Sequence, residues 1–261
     1  MGIIWLASYP KSGNTWVRFI LSHALFGPTD KSIDVNRRLP DLHRRLPDDR
    51  LARPDDGAPL LVKTHFELTP SHPELARTDR ALHIVRNPRD VLLSALNYRR
   101  LNGVTKAQLS DRAYAEMFIS TGGDPTWKQQ KMGTWSSHAT SWTGTDRFPV
   151  KTIGYEQLKA DTHTVMRDAI EFMGLDIADE ALVGAIKSSS FESLRAMEIR
   201  EKADPKRKQG LFLGDTRTSK QGVFFMNKGR TGQSLDEAIG PGLDALLSAK
   251  FADACARLGY A

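Results

Sequence analysis

Cysteine occurs once in 261 residues, as Cys255. A single thiol excludes an intrachain disulfide and every multi-cysteine zinc site. The seven histidines are scattered, with no H-E-x-x-H pair, so no metal centre is expected. No apolar run approaches the roughly 20 residues that cross a membrane, and mean hydropathy is low at −0.41. The first apolar residues have no basic stretch before them, so no signal peptide is expected and the expected location is cytoplasmic. Gly2 suggests N-myristoylation, but Leu6 stands where that motif requires Ser or Thr. There is no internal repeat. There is also no G-x-x-x-x-G-K-[ST] sequence, so the Walker type of phosphate loop is missing.

What the chain does carry is an apolar content of 40% and a net charge of +6. The first supports a sizeable core, and the length reads as one domain over 1–261. The second favours an anionic partner: nucleotide, acidic glycan, lipid headgroup or nucleic acid. Short apolar runs predict strands at 3–8, 60–64, 81–85 and 150–153. Longer patterns predict helices over 15–25, 89–99, 111–120, 129–142, 155–173, 178–187 and 243–258, the last with Cys255 as a core residue. Strands alternating with helices indicate an α/β domain with a mainly parallel sheet. Ligands of such sheets bind at the carboxyl ends of the strands. That rule brings 10–14, 64–66 and 86–89 to one edge. Segments 27–59, rich in Pro, Asp and Arg, and 200–222, with Arg200, Lys202, Lys206, Arg207 and Lys208, read as loops or lids.

The first of these edges is the most informative. Pro10 ends the strand, Lys11, Ser12 and Gly13 make a turn, and Asn14, Thr15 and Trp16 open a helix. A turn entering a helix leaves main-chain N–H groups unpaired, and the helix dipole adds partial positive charge. Lys11 adds a full charge, and Ser12 and Thr15 add hydroxyl donors. The plain alternative is an ordinary strand–turn–helix with a surface lysine. Trp16 weighs against it, because a tryptophan beside an anion loop is well placed to stack on a base.

Two more strands end in basic segments. Leu60-Leu61-Val62-Lys63-Thr64-His65-Phe66 places a histidine at the ligand edge. Histidine is the natural general base for a hydroxyl at neutral pH, although a lone one is more often structural. Lys63, two residues earlier, points to the same face of an extended chain. His83-Ile84-Val85-Arg86-Asn87-Pro88 ends in a turn that starts a helix, with Pro88 suited to its first position. Arg86 can make a bidentate contact to phosphate. Ser94 follows one to two helical turns on, and Arg89 and Asp90 read as a local surface pair.

Taken in order, these segments resemble the 5′-phosphosulfate loop, catalytic histidine segment and 3′-phosphate site of cytosolic-type sulfotransferases. Those enzymes use 3′-phosphoadenosine-5′-phosphosulfate (PAPS). Tyr155-Glu156-Gln157-Leu158 and Ser189-Ser190-Phe191 resemble the family's adenine-contacting segments. Phe224 to Gly232 resembles its C-terminal lid, commonly R-K-G-x-x-G. The resemblance implies a P-loop-like three-layer α/β/α domain. Lys11, Ser12, Gly13, Asn14 and Thr15 would bind the phosphosulfate. Trp16, Tyr155, Ser189 and Phe191 would hold adenine. Arg86, Ser94 and the lid residues Phe225, Met226, Asn227, Lys228, Gly229 and Arg230 would take the 3′-phosphate side. His65 would be the general base, with Lys11 and Lys63 stabilising charge. Ser94 would also restrain Lys11 before an acceptor arrives. PAPS would be the donor and adenosine 3′,5′-bisphosphate (PAP) the product, with no metal. The acceptor would be a small molecule, lipid or carbohydrate bearing a hydroxyl or, less favourably, an amine. No nucleic-acid partner is expected, because the basic residues concentrate at strand ends and one loop rather than in a continuous stripe.

Three departures from the family pattern stand out. Asn14 replaces a common threonine, and both residues can cap a helix. Asn227 stands where a phosphate-binding arginine is usual, which leaves Arg230 and Arg217 as available cations. Gln233-Ser234 replaces Asp-Trp-Lys, and the family's K-x-x-x-T-V-x-x-x-E dimer motif is not found, so the sequence leaves the oligomeric state open. The competing readings are a P-loop kinase and a nucleotide-binding module without catalysis. A kinase needs magnesium ligands near the phosphates, and Asp90 is the nearest carboxylate.

Overall fold

β1 (Ile3–Ser8) is buried along its whole length, because parallel strands flank it and helices cover both its faces. The computed structural model describes residues 2–44, 59–103, 108–204, 222–227 and 229–260. Among these residues the sheet has four parallel strands in the order β2–β1–β3–β4, with β2 at Leu60–Thr64, β3 at Thr78–Val85 and β4 at Val150–Gly154. The helices are α1 (Asn14–Phe26), α2 (Ser32–Arg38), α3 (Pro88–Leu101), α4 (Asp111–Thr121), the single turn α5 (Pro125–Trp127) and α6 (Trp135–Thr143). They continue with α7 (Tyr155–Ala160), α8 (Thr162–Met173), α9 (Asp179–Ser188), α10 (Phe191–Ala203), α11 (Leu235–Ala238) and α12 (Leu243–Arg257).

Side-chain alternation along β1 divides the core. Ile4 and Leu6 pack with Val17, Ile20 and Leu21 of α1, Met166 and Ile170 of α8 and Leu182 of α9. Ile3, Trp5 and Ala7 face the other way, against Val62, Ala81 and Trp142 of α6. α12 packs on α3, α4 and α6 and extends that second side. The result is the three-layer α/β/α arrangement that the family resemblance implies.

Two predicted helices are broken by local chemistry. The one over 129–142 stops at a turn in which Lys131 has φ 62° and Gly133 has φ 72°. It restarts as α6 under a capping box made by Thr134 and Ser137. The one over 155–173 breaks at Asp161, whose carboxylate accepts the Thr164 N–H at 3.0 Å and caps α8. α2 lies wholly inside one segment read as a loop or lid, and the last turn of α10 lies inside the other. The rest of those segments, 45–58 and 205–221, falls outside the described residues.

Beside β1 and β3 lies a cluster of buried histidines. His83 stacks on Trp142 at 6.4 Å between ring centroids, and His138 lies 5.7 Å from His83. His72 meets Trp142 edge-on at 5.6 Å. His138 is fully buried, and neither of its ring nitrogens has a hydrogen-bond partner. Burial pushes His83 down to about 3 and His72 to about 4 from the ordinary 6.5. Burial, with His83 beside it, holds His138 well below that value.

These rings bind protons more tightly in the unfolded chain than in the folded one, so acid favours unfolding. Stability is expected to fall from about pH 6.5 downward, by on the order of 2 kcal/mol per ring at pH 5. His138→Phe removes one such site and should narrow the gap between the thermal midpoints measured at pH 7 and pH 5. An unchanged gap would show that His138 does not enter the folded state neutral.

Candidate functional site

The strand register places Ala7 opposite Thr64, Ser8 opposite Ile84 and Val85 opposite Gly154. The segments that follow the four strands therefore emerge at one level, and they open on a cavity of about 1000 Å³. Lys11, Gly13, Asn14, Thr15 and Trp16 line it from the first loop, Lys63 and His65 from the second, and Arg86 and Ser94 from the third. Tyr155 and Phe191 form a further wall, and Phe225, Met226, Asn227, Gly229 and Arg230 border it from the lid. Ser12 and Ser189 are off the lining. Lys228 and Arg217 lie outside the described residues.

The first loop turns tightly because Lys11 has φ 71° and Gly13 has φ 103°. Gly13 is the N-cap of α1. The main-chain amides of Gly13, Asn14 and Thr15 make no hydrogen bond among the described residues. Three adjacent free donors at a helix start form an anion cradle. Asn14 does not act as the expected cap. Its Nδ2 donates to the Leu6 carbonyl at 2.8 Å and to Ser8 Oγ at 3.2 Å, which ties α1 to β1. The Ser12 side chain is 1% exposed, and its Oγ has no hydrogen-bond partner. Glycine at 13 also serves packing: a Cβ there would sit 2.5 Å from Tyr155 Cδ2.

Trp16 is fixed by a residue expected to touch the ligand itself. Its Nε1 donates to the Ser189 carbonyl at 3.0 Å. The Ser189 hydroxyl is turned away, 3.1 Å from His23 Nδ1. Ser189 thus acts on the cavity only through Trp16, whose ring meets Tyr155 at 6.0 Å and 66°.

His65 is held in one tautomer. Its Nδ1 lies 2.7 Å from the Ser8 carbonyl oxygen. A carbonyl can only accept, so Nδ1 carries the proton and Nε2 is left with its lone pair. Burial, then the Lys63 ammonium, hold His65 well below its ordinary value, with Asp41 and the Ser8 carbonyl acting the other way. The ring is therefore neutral at pH 7, as a general base must be. Lys63 Nζ is 2.6 Å from Asp41 Oδ2, so this lysine is one half of an ion pair. Lys11 points between two rings, with Nζ 3.8 Å from the Phe225 centroid and 4.6 Å from that of Tyr98. Burial, helped by Arg86 and Lys63, pulls Lys11 down to about 7. An anion in the cradle would favour its charged form again.

Arg86 joins loop to lid. Its guanidinium donates to the Lys11 carbonyl at 3.2 Å and the Arg230 carbonyl at 3.0 Å, and lies 4.3 Å from the Tyr155 ring centroid. Its Nε has no hydrogen-bond partner. Two buried carboxylates pin the lid. Glu198 accepts the N–H groups of Phe225 at 2.6 Å and Met226 at 2.9 Å. Asp90 accepts that of Gly232 at 3.1 Å. Asp90 is thus neither a surface residue nor a partner of Arg89, which pairs with Asp244 at 2.7 Å. No group of three or more His, Cys, Asp or Glu able to hold a metal occurs among the described residues.

Sequence reasoning missed Asp41, Glu198, Tyr98 and Arg18, although Asp41, Tyr98 and Arg18 line the cavity. Asp41 and Glu198 sit in or beside segments that read as loops or lids. Their hydrogen bonds cross gaps of 22 and 27 residues, and no local spacing signals such a contact.

A family model describing the sulfotransferase domain matches residues 2–250. Human sulfotransferase 1C2 is 24% identical over 198 residues, which cover 73% of this chain and 64% of that protein. The chain thus spans just under two thirds of that relative's length. Zebrafish (Danio rerio) sulfotransferase 6B1 is 24% identical over 268 residues, covering 98% of this chain and 81% of that one. Retinol dehydratase, solved with androsterone and the inactive cofactor PAP, superposes with a TM-score of 0.67 at 17% identity, covering 97% of this chain and 80% of that one. Mouse sulfotransferase SULT7A1 with PAP gives 0.63 at 22% identity, covering 99% and 88%. These two likenesses carry the fold.

The contact at Gly13 is directly testable. Gly13→Ala puts a Cβ against the Tyr155 ring and at a left-handed φ, and should cost about 1–3 kcal/mol. Thermal denaturation reads this as a lower midpoint. A midpoint equal to that of the unmodified protein would show that the loop has room to relax.

Proposed function

The chain belongs to the sulfotransferase domain family, and we propose that it transfers a sulfuryl group from PAPS to the hydroxyl of a small-molecule acceptor. The observation that carries this reading is the convergence of an anion cradle, a second cation and an oriented base on one cavity. Lys11 and Arg86 are 75 residues apart, and His65 comes from a third loop.

The residues fit the donor. Three amides and the Arg86 Nε at the cavity have no hydrogen-bond partner among the described residues, and such groups are costly to leave unpaired. Lys11 and the amides of Gly13 to Thr15 would hold the phosphosulfate. Arg86 and Ser94, with lid residues Arg230 and Lys228, would hold the 3′-phosphate. Trp16, Tyr155 and Phe191 would enclose adenine. When bound, the donor supplies an activated sulfuryl group, and PAP is the product it leaves.

The chain's own chemistry is then limited to a few steps. His65 Nε2 takes the proton of the acceptor hydroxyl, while the Ser8 carbonyl keeps the imidazole in the matching tautomer. Lys63 and Lys11 offset the negative charge that develops around the transferred group. Leu93, Leu96, Trp127, Met132 and Ile239 add an apolar wall to the same cavity, which suits a small, mostly apolar alcohol. The kinase reading loses its nearest carboxylate, since Asp90 is committed to the lid amides.

PAP should raise the thermal midpoint, and AMP, which lacks the 3′-phosphate, much less. Equal shifts would remove the role given to Arg86. His65→Ala should keep the PAP shift but lose about 100-fold or more in turnover, measured with labelled donor. Full turnover in that variant would assign the base elsewhere.

A further inference from the structure

We propose that Asp41 is a positioning residue for this reaction: its buried carboxylate, paired with Lys63 at the cavity wall, sets the basicity of His65 and keeps Lys63 charged. The proposal rests on the sulfuryl-transfer reading only for its catalytic consequence.

Asp41 is 4% exposed although it lies in a stretch of charged residues. Its position is fixed from both directions. It forms an isolated parallel bridge to Lys63, whose N–H donates to the Pro40 carbonyl at 2.9 Å. Its Oδ2 is 2.6 Å from Lys63 Nζ, and its Oδ1 accepts the His43 N–H at 3.1 Å. Asp41, Lys63 and His65 all line the cavity. Burial alone would raise the Asp41 pKa. Lys63, His65 and Arg18 outweigh burial and hold the carboxyl well below the usual carboxylate range, so it is ionised throughout the working pH range.

A positive charge beside an imidazole opposes its protonation, and a negative charge favours it. Lys63 alone would leave Nε2 a poor acceptor for the hydroxyl proton. Asp41 offsets part of that effect without removing the ammonium from the cavity. It also supplies the countercharge that a lysine in this half-buried place needs to stay charged. Among the described residues the other charged or titratable groups nearby are Arg18 of α1, Lys11 of the first loop, His43 of the short turn at Leu42–Arg44 and His138 of α6. None of them offers a second carboxylate.

The test is the titration of the His65 imidazole, followed by NMR in the ligand-free protein. The four proteins compared are the unmodified chain, Asp41→Asn, Lys63→Met and the double variant. Lys63 acts on His65 more strongly than Asp41 does. The titration midpoints should therefore rise in the order Asp41→Asn, unmodified chain, double variant, Lys63→Met. The double variant strands no buried ion, so its comparison with Lys63→Met isolates Asp41 even where Asp41→Asn does not fold. Where turnover is measurable, Asp41→Asn should lower kcat about tenfold or more. It should also move the acid limb of kcat/KM to lower pH, and Asp41→Glu should restore most of both. A purely structural Asp41 would leave the midpoints of Lys63→Met and the double variant equal, and that result overturns the proposal. Because the titration needs no turnover, absence of sulfuryl transfer would remove the functional reading and leave this assignment to be judged separately.

Discussion

Everything at the site depends on strands that run parallel and end level. A parallel sheet sends every strand's carboxyl end to the same edge, and here the register sets each end within one residue of its neighbour's. Loops separated by about 20 to 70 residues of chain are thereby brought onto one cavity. Each loop can then be short. The first is a tight turn held by two left-handed residues, the second a simple extension of β2, the third a proline-started helix. Among these loops the left-handed backbone falls at Lys11 and Gly13, where the chain must reverse quickly enough to leave amides facing the cavity.

A cavity that gathers Lys11, Lys63 and Arg86 concentrates positive charge. The structure offsets it in two ways. Some cations are tempered: Lys11 lies between aromatic rings, and Arg86 donates to two main-chain carbonyls. Others are balanced by a carboxylate, as Lys63 is by Asp41 and Lys202 by Glu198. The same acids also accept main-chain N–H groups, so each one orders a segment as well as offsetting charge. Glu198 and Asp90 together hold the lid at both ends, and between these ends Asn227, Gly229 and Arg230 border the cavity.

Sequence periodicity located all four strands because each is short, apolar and bounded by turn residues. It also located most helices, since amphipathic spacing survives in α1, α3, α4, α8, α9 and α12. It failed where one residue's conformation overrides the pattern. Lys131 and Gly133 stop a helix that the apolar spacing would continue, and Asp161 caps a new one inside an apparently continuous run. Among the site residues, those on the strand-end motifs were legible. The roles of Asn14 and Ser189 were not, because both side chains turn inward to hold structure rather than outward to the cavity.

The chain's sequence by itself determined the α/β class and the strand-end segments that carry Lys11, His65 and Arg86 to the cavity, because each is marked by a few neighbouring residues whose chemistry is local. Tertiary structure alone decided which histidine nitrogen holds the proton, that Lys63 is paired, and that Asp41, Asp90 and Glu198 are buried. Those facts depend on what lies across the sheet edge, tens of residues away in sequence. Burial and countercharge are properties of that meeting, and no spacing within one segment encodes them.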